Sequence, residues 1–210
     1  MTQLNIQTSS RAWLIALPVD VRESRILGDG SVVAAGYYST PLFGNPLSIN
    51  GVSYESTAGS LDIILLKYNA DGSLSWVSTR QDAENSYPTA LATRPDGGIL
   101  IGGIIGTKAF YSTSVTSNGG NIQTIFANNT SGSTSIQDIS SFPDGSILLA
   151  GIYSGSNDYV PLPGRVAGDI FASRLRPLNP WGRRITFSNG TKSVSAAYAL
   201  PSNSSYITGS

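Results

Sequence analysis

The stretch 88–106, Pro-Thr-Ala-Leu-Ala-Thr-Arg-Pro-Asp-Gly-Gly-Ile-Leu-Ile-Gly-Gly-Ile-Ile-Gly, reads as two apolar strands joined by the turn Pro95-Asp96-Gly97. An Asp-Gly pair between apolar runs is a strong hairpin signal. Both central residues of a type I′ turn need positive φ, which Gly adopts freely and Asp tolerates. The stretch therefore predicts a hairpin with a type I′ turn.

The same hairpin phrase occurs four times along the chain. Its turns are Gly28–Ser31, Pro95–Gly98, Pro143–Ser146 and Pro201–Ser204. Six positions after the third turn residue, each copy has another glycine: Gly36, Gly103, Gly151 and Gly209. A glycine at one fixed point of each strand predicts a close approach of backbones there.

A second hairpin follows the first in three copies, so each unit holds four strands, A to D. The predicted strands are 20–27, 31–39, 62–69 and 74–80 in unit one; 88–94, 98–105, 109–116 and 121–127 in unit two; and 136–142, 146–153, 169–175 and 181–187 in unit three. A repeat of roughly 50 residues with four strands is typical of a propeller blade.

Unit four has only strands A (193–200) and B (204–209), and the N-terminus supplies the missing pair. Residues 2–8 and 10–15 read as strands C and D, with Trp13 in the phase of Trp76 and Trp181. We therefore predict one all-β domain, 1–210, a four-bladed β-propeller whose last blade is made from both termini. Its blades span about 20–80, 88–127, 136–187, and 193–210 plus 1–17, and strand 204–209 pairs with residues 2–8. A dimer that exchanges these halves is the alternative.

The phrase Asp62–Trp76, Asp-Ile-(apolar)₃-Lys-Tyr-x-x-Asp-Gly-x-Leu-x-Trp, is followed by a hairpin of the Pro-Asp-Gly type. This combination resembles the repeat of the bacterial β-propeller family of the SBBP and delta-60 type. The resemblance spans nearly the whole chain, although unit two lacks the Asp-Ile start and has Thr124 in the Trp phase. It implies a propeller fold and leaves the function open, because propellers host many unrelated roles.

Composition excludes several kinds of chemistry. The 210 residues include no His and no Cys, which rules out Ser-His-Asp and Cys-His catalysis and zinc sites built from these ligands. Thirteen basic and thirteen acidic residues cancel, so we expect no nucleic-acid partner. The apolar run Ile99–Ile105 is far shorter than the roughly 20 residues that span a bilayer, and we expect no membrane insertion. Residues 1–17 show no export signal, and no cofactor or metal is expected.

Six of the thirteen acidic residues recur in phase with the repeat, which predicts structural roles in turns (Asp29, Asp71, Asp96, Asp144) and at strand starts (Asp62, Asp169). Among the others, Asp82 and Glu84 are close neighbours and keep a carboxylate-pair glycosidase open. We interpret the three Trp residues as packing between blades rather than as sugar platforms. The basic group Arg165, Arg174, Arg176, Arg183 and Arg184 is interpreted as a solvated outer strand rather than a site for an anionic partner.

Long B–C connections at 40–60 and 154–168 stand out against the short turns, and in a propeller they share a face with the D–A connections. Long loops on a rigid scaffold often bind partners. The candidate binding residues on this face are Phe43, Tyr54, Asp82, Glu84, Asn85, Tyr87, Asn128, Asn129, Tyr159, Asn189 and Lys192. The alternative is that these loops only cover blade edges. We expect deletion of the tip 45–53 to leave folding nearly intact and to weaken attachment to a partner.

These observations predict a non-enzymatic structural or binding module. A low-charge domain rich in Ser, Thr and Gly is typical of displayed proteins, yet the sequence starts at Met1 without an export signal. A bacteriophage virion component, tail-associated or on the capsid surface, satisfies both, with other structural proteins of the assembly or a host glycan as partners. The alternatives are a bacterial cell-surface, extracellular adhesin or lectin-like propeller, and a glycan-active enzyme that uses loop carboxylates.

Overall fold

A computed structural model of the chain describes residues 2–8, 11–17, 19–40, 46–57, 59–126, 129–157, 169–175, 181–185, 193–200, 202 and 204–209. For residues 2–17, 126, 129–133, 153–157, 169 and 181–185, only the backbone is described. Every regular element in these ranges is a β-strand, and none of them contains a helix long and apolar enough to cross a membrane.

In chain order the strands of the described residues are β1 (Thr2–Thr8), β2 (Arg11–Leu17), β3 (Asp20–Ile26), β4 (Val32–Tyr38), β5 (Leu47–Ile49), β6 (Val52–Tyr54), β7 (Asp62–Tyr68), β8 (Leu74–Arg80), β9 (Ser86–Thr93), β10 (Ile99–Ile105), β11 (Lys108–Val115), β12 (Ile125–Phe126), β13 (Asn129–Ser141), β14 (Ile147–Asn157), β15 (Asp169–Leu175), β16 (Trp181–Ile185), β17 (Val194–Ala199) and β18 (Ser205–Gly209).

The strands form small antiparallel sheets in the predicted A-B-C-D order. Sheet one is β3-β4-β7-β8, sheet two is β9-β10-β11-β12, and sheet three is β13-β14-β15-β16. The predicted membership of units one to three is therefore confirmed. Three strands differ from the predicted bounds by more than two residues: β12, strand D of unit two, holds only two residues, β13 begins at Asn129 instead of 136, and β14 continues to Asn157, into the predicted B–C loop.

The terminal segments form the predicted hairpins, each as a sheet of its own. Strand β1 pairs with β2, and β17 pairs with β18. In the part of the chain that the structure describes, the expected pairing of 204–209 with 2–8 is not formed. The chain divides into two compact units, Met1–Pro88 with Asn118–Ile122, and Thr89–Ser117 with Gln123–Ser210. The closed ring and the single domain stay predictions.

The turn between strands A and B has a different backbone from the predicted one. In sheet one, Gly30 N donates to Leu27 O at 3.0 Å and Leu27 N donates to Ser31 O at 2.8 Å. Gly30 has φ 77°, whereas Asp29 is not at positive φ. This is a type I turn followed by a left-handed glycine bulge, and the turns ending at Gly97 and Gly145 repeat it. The type I′ prediction is wrong because Asp29 accepts the N–H of Ser31, at 2.9 Å, from a right-handed turn position.

A true type I′ turn occurs where a loop was expected. Asn50 and Gly51 have φ 49° and 78° and join β5 to β6. Leu47 and Ile49 of this hairpin are buried in the core of sheet one. The prediction that residues 45–53 are dispensable for folding is therefore wrong, because their deletion removes two core side chains.

The recurring glycines lie where strand B approaches strand A. Three of them are opposite the residue that precedes a bulge: Gly36 faces Val21, Gly151 faces Ile136, and Gly209 faces Val194. A Cβ at these glycines would overlap the carbonyl oxygens of Asp20, Ser135 and Ser193, respectively. The predicted close approach of backbones is confirmed at these three positions.

Sheet three is covered on both faces within its unit. One face packs Ile136, Leu149 and Phe171 against Leu100 and Tyr111 of sheet two. The opposite face packs Phe142, Leu148, Ala150 and Ile170 against Val194 and Ala197 of the β17–β18 hairpin. Strands B and C of sheet three consequently carry near-continuous apolar runs, as expected for strands buried on both faces.

Candidate binding rim

The predicted site residues fall into three groups. Phe43, Asn128, Tyr159, Asn189 and Lys192 lie outside the described residues, and Asn129 begins β13, where only the backbone is described. The remaining five lie in the unit that contains sheet one: Tyr54, Asp82, Glu84, Asn85 and Tyr87. We call the end of sheet one formed by residues 19–22, 37–40, 54–57, 59–62 and 80–87 the rim.

Asp82 is held by its neighbours. Arg80 donates from Nε to Asp82 Oδ2 at 3.1 Å and from Nη2 to Asp82 Oδ1 at 2.8 Å. Ser86 Oγ also donates to Oδ2, at 3.1 Å. Both carboxylate oxygens are thus committed to a two-pronged arginine pair. Glu84 is exposed, so the two acids differ sharply in surroundings.

Asp62 fixes the B–C segment to the D–A segment. Its side chain is fully buried and accepts the backbone N–H groups of Thr57, at 2.5 Å, and Asp82, at 2.9 Å. Asn85 Oδ1 accepts the N–H of Leu61 at 2.9 Å, and Ser60 Oγ donates to the carbonyl of Asp82 at 3.0 Å. The two connections therefore meet at one end of sheet one. The predicted shared position with 154–168 stays a prediction, since residues 158–168 lie outside the described ranges.

Tyr38 is a buried polar member of the rim. Its hydroxyl donates to the carbonyl of Glu55 at 2.9 Å. Burial, and secondarily the nearby charge of Asp62, raises the pKa of Tyr38 to about 12. Tyr38 therefore stays a neutral hydrogen-bond donor at physiological pH.

Tyr87 belongs to a group that the sequence did not reveal. Its ring meets that of Tyr37 edge to face, with centroids 5.3 Å apart. The Tyr37 hydroxyl donates to Asp20 Oδ2 at 2.5 Å and accepts from Arg22 Nη2 at 2.6 Å. The Arg22 guanidinium also lies 4.9 Å from the centroid of the Tyr37 ring. We call these four side chains the tyrosine cluster. Counting outward from the A–B turn would place Val21 opposite Tyr37, so the bulge at Val21/Glu23 concealed the pair of Asp20 and Tyr37 from the sequence.

The acidic residues of the A–B turns are structural. Hydrogen bonds from the Ser31 hydroxyl and N–H lower the pKa of Asp29, and the N–H of Gly98 chiefly lowers that of Asp96. In sheet three, the Ser146 hydroxyl is the largest cause that lowers the pKa of Asp144 to about 2. Carboxylates stabilised in this way are not suited to proton transfer near neutral pH.

Arg174 is buried, so the interpretation of its group as a solvated outer strand is wrong for this residue. Its guanidinium lies over the Phe142 ring, 3.6 Å from the centroid. Nε donates to Ser146 Oγ at 2.8 Å and Nη2 to Asp144 Oδ2 at 2.9 Å. The side chain reaches the turn from strand C because Arg174 lies opposite Leu148, two residues after Ser146. For Arg183 and Arg184 only the backbone is described, and Arg165 and Arg176 lie outside the described residues.

Trp76 packs against the turn Asn118–Gly119. A Cβ on Gly119 would lie 3.1 Å from the indole ring, so the glycine backbone sits directly on it. This agrees with the packing interpretation. Trp76 and Trp181 occupy equivalent positions, opposite Lys67 and Arg174.

Within the described ranges, no group of three or more acidic side chains is placed to hold a metal ion. Comparison of the chain with models of known protein families gives no match, and comparison with curated proteins gives none either.

Proposed function

We propose that the chain is a non-enzymatic structural and binding module of a bacteriophage virion, tail-associated or on the capsid surface. It presents the rim to a partner protein of the assembly or to a host glycan. The observation that supports a non-enzymatic binding role is the engagement of the rim carboxylates in structural contacts. Asp62 and Asp82 are engaged by backbone N–H groups and by Arg80, respectively, whereas Asp20 and Arg22 of the tyrosine cluster are exposed to solvent.

We further propose that the fold is a four-bladed propeller of the bacterial repeat family named above. Three sheets with one strand order support this, as does the stacking of sheet two, sheet three and the β17–β18 hairpin. The β17–β18 hairpin holds strands A and B, and the β1–β2 hairpin holds strands C and D. Together they supply the strands of one further sheet, and pairing them would cover the outer edge of β18.

The virion assignment rests on the low-charge composition, which is typical of displayed proteins. Mass spectrometry of phage particles purified by density gradient tests it, with the unfractionated lysate as the control. We expect the protein to be enriched in the particle band in a constant ratio to the major capsid protein. Its presence in the lysate together with its absence from the particles would overturn the assignment.

A lectin-like adhesin is the second candidate, and the tyrosine cluster favours it. Paired Asp and Arg side chains beside aromatic rings suit a ligand that carries hydroxyl groups on an apolar frame. Localisation separates the two candidates, because an adhesin is found on the surface of intact bacteria in the absence of phage.

A further inference from the structure

We propose that the tyrosine cluster, Asp20, Arg22, Tyr37 and Tyr87, is a binding site for a neutral saccharide. This inference rests on the proposed binding role of the rim and names the chemistry of one ligand. Of the four residues, only Tyr87 was expected from the sequence to take part in binding.

The cluster is ordered before any ligand arrives. Asp20 and Tyr37 are directly opposite each other on β3 and β4, and Tyr87 lies on β9. The Tyr37 hydroxyl is fixed between the carboxylate of Asp20 and the guanidinium of Arg22. Side chains fixed on strands lose little conformational entropy on binding, which favours affinity for a small ligand.

The remaining hydrogen-bonding capacity matches vicinal hydroxyl groups. Asp20 accepts the Tyr37 hydroxyl at Oδ2, and Arg22 donates to the same hydroxyl from Nη2. Among the hydrogen bonds of the described residues, none uses Asp20 Oδ1 or Arg22 Nε and Nη1, so these atoms are available to a ligand. The side chains of Arg22 and Asp20 are 50% and 51% exposed. A carboxylate oxygen that accepts and guanidinium groups that donate can bind two neighbouring hydroxyls, since each hydroxyl both donates and accepts.

Charge and apolar surface narrow the ligand class. The opposite charges of Asp20 and Arg22 balance locally, which favours a neutral ligand over a sialylated or sulfated one. The half-buried ring of Tyr87 offers an apolar surface to the C–H face of a sugar. Among the side chains that the structure describes, the large hydrophobic ones that are well exposed, Ile26, Val52, Ile125, Tyr198 and Tyr206, all lie outside the cluster, which makes a protein partner at this spot less suitable than a saccharide.

Saturation-transfer difference NMR on the full chain tests the proposal. The probes are maltohexaose, cellohexaose, xylohexaose, mannohexaose and chitohexaose, with sialyllactose as the acidic comparison. We expect transfer to at least one neutral oligosaccharide. Y87A should weaken its binding at least tenfold, which corresponds to about 1.4 kcal/mol. Y198A, the same change at an exposed tyrosine of β17, should leave the signal unaltered.

D20N keeps the size of the side chain and guards against loss by unfolding. We expect it to reduce binding while the amide spectrum stays dispersed. Absence of transfer from every neutral oligosaccharide, transfer only from sialyllactose, or full retention of transfer in both Y87A and D20N would each overturn the proposal. Particle association of the wild-type chain separates this site from the proposed function: a chain that enters particles but shows no saccharide transfer would overturn only the saccharide site, whereas its absence from particles would overturn the virion role.

Discussion

The A–B turns of sheets one and three share one backbone but differ in how a cation from strand C reaches them. Lys67 and Arg174 occupy the same register, opposite Val33 and Leu148. Lys67 Nζ lies 3.9 Å from Asp29 Oδ2, whereas Arg174 Nη2 lies 2.9 Å from Asp144 Oδ2. Backbone geometry is thus repeated, while the side chain decides how tightly the turn is held.

The difference follows from the chemistry of the two cations. The planar guanidinium of Arg174 stacks on Phe142 and binds Ser146 as well as Asp144. Lysine is a point charge on a flexible stem and offers no such fork. The position of Phe142 is held in sheet one by Leu27, which gives a cation no aromatic face.

The largest effects are expected where the two sheets are alike. Gly36→Ala and Gly151→Ala should each lower the free energy of unfolding by about 3 kcal/mol or more, because the new Cβ overlaps a backbone carbonyl that cannot move alone. Urea unfolding measures both. Gly28→Ala is the control, since a Cβ there meets no atom within 4 Å. A loss below about 1 kcal/mol in either variant would contradict the shared close approach.

A matched pair of substitutions should separate the two turns. Arg174→Met removes the stacked guanidinium and its hydrogen bonds from a side chain only 3% exposed, and we expect a loss of about 2–3 kcal/mol. Lys67→Met keeps the buried stem and removes a long ion pair, for which we expect about 1 kcal/mol or less. Equal losses in the two urea titrations would show that the ion-pair geometry does not distinguish the sheets.

The smallest effects concern acid pH. Because the folded-state pKa of Asp144 is lowered to about 2, its stabilising contribution is complete above its unfolded pKa, near 4, and is lost as pH falls from there towards 2. Asp29 should show the same direction. Carboxyl chemical shifts followed by NMR measure both pKa values.

Two variants sharpen this prediction. Ser146→Ala should raise the pKa of Asp144, since the Ser146 hydroxyl is the largest single cause that lowers it, and Arg174→Met should raise it as well. An Asp144 pKa that stays near 2 in Ser146→Ala would assign the shift to a different group.

The strand pattern was predictable because each apolar run is bounded by a turn signal that recurs in register. The turn type was not predictable, because an Asp-Gly pair is compatible both with a type I′ turn and with a type I turn followed by a glycine bulge. The β5–β6 hairpin had its signal in Asn50-Gly51, but strands of three residues fall below what alternation can reveal.

The rim was only partly predictable. The sequence predicted that Asp82 and Tyr87 lie near one another. It did not reveal the ion pair between Arg80 and Asp82, because that pair depends on side-chain conformation. The tyrosine cluster joins β3, β4 and β9 across a bulge at Val21/Glu23, so simple counting along the strands does not bring Arg22 to Tyr37. The burial of Arg174 was not predictable either, because it depends on contacts with Phe142 and Asp144, which are distant from Arg174 in the sequence.

Disulfide trapping tests the central proposal, that the β1–β2 and β17–β18 hairpins pair into one sheet, most directly. The chain has no cysteine, so introduced cysteine pairs have no native thiol to react with. Asn5→Cys is combined in turn with Tyr206→Cys, Ile207→Cys or Thr208→Cys, and Asn5→Cys with Ile26→Cys is the control. Paired strands bring Cα atoms within the about 4.4–6.8 Å that a disulfide requires. We predict that at least one test pair forms an intrachain disulfide in a monomer, as shown by non-reducing electrophoresis and peptide mass spectrometry. Disulfides found only between chains would establish the exchanged dimer, and absence of any disulfide in all three test pairs would contradict the composite sheet.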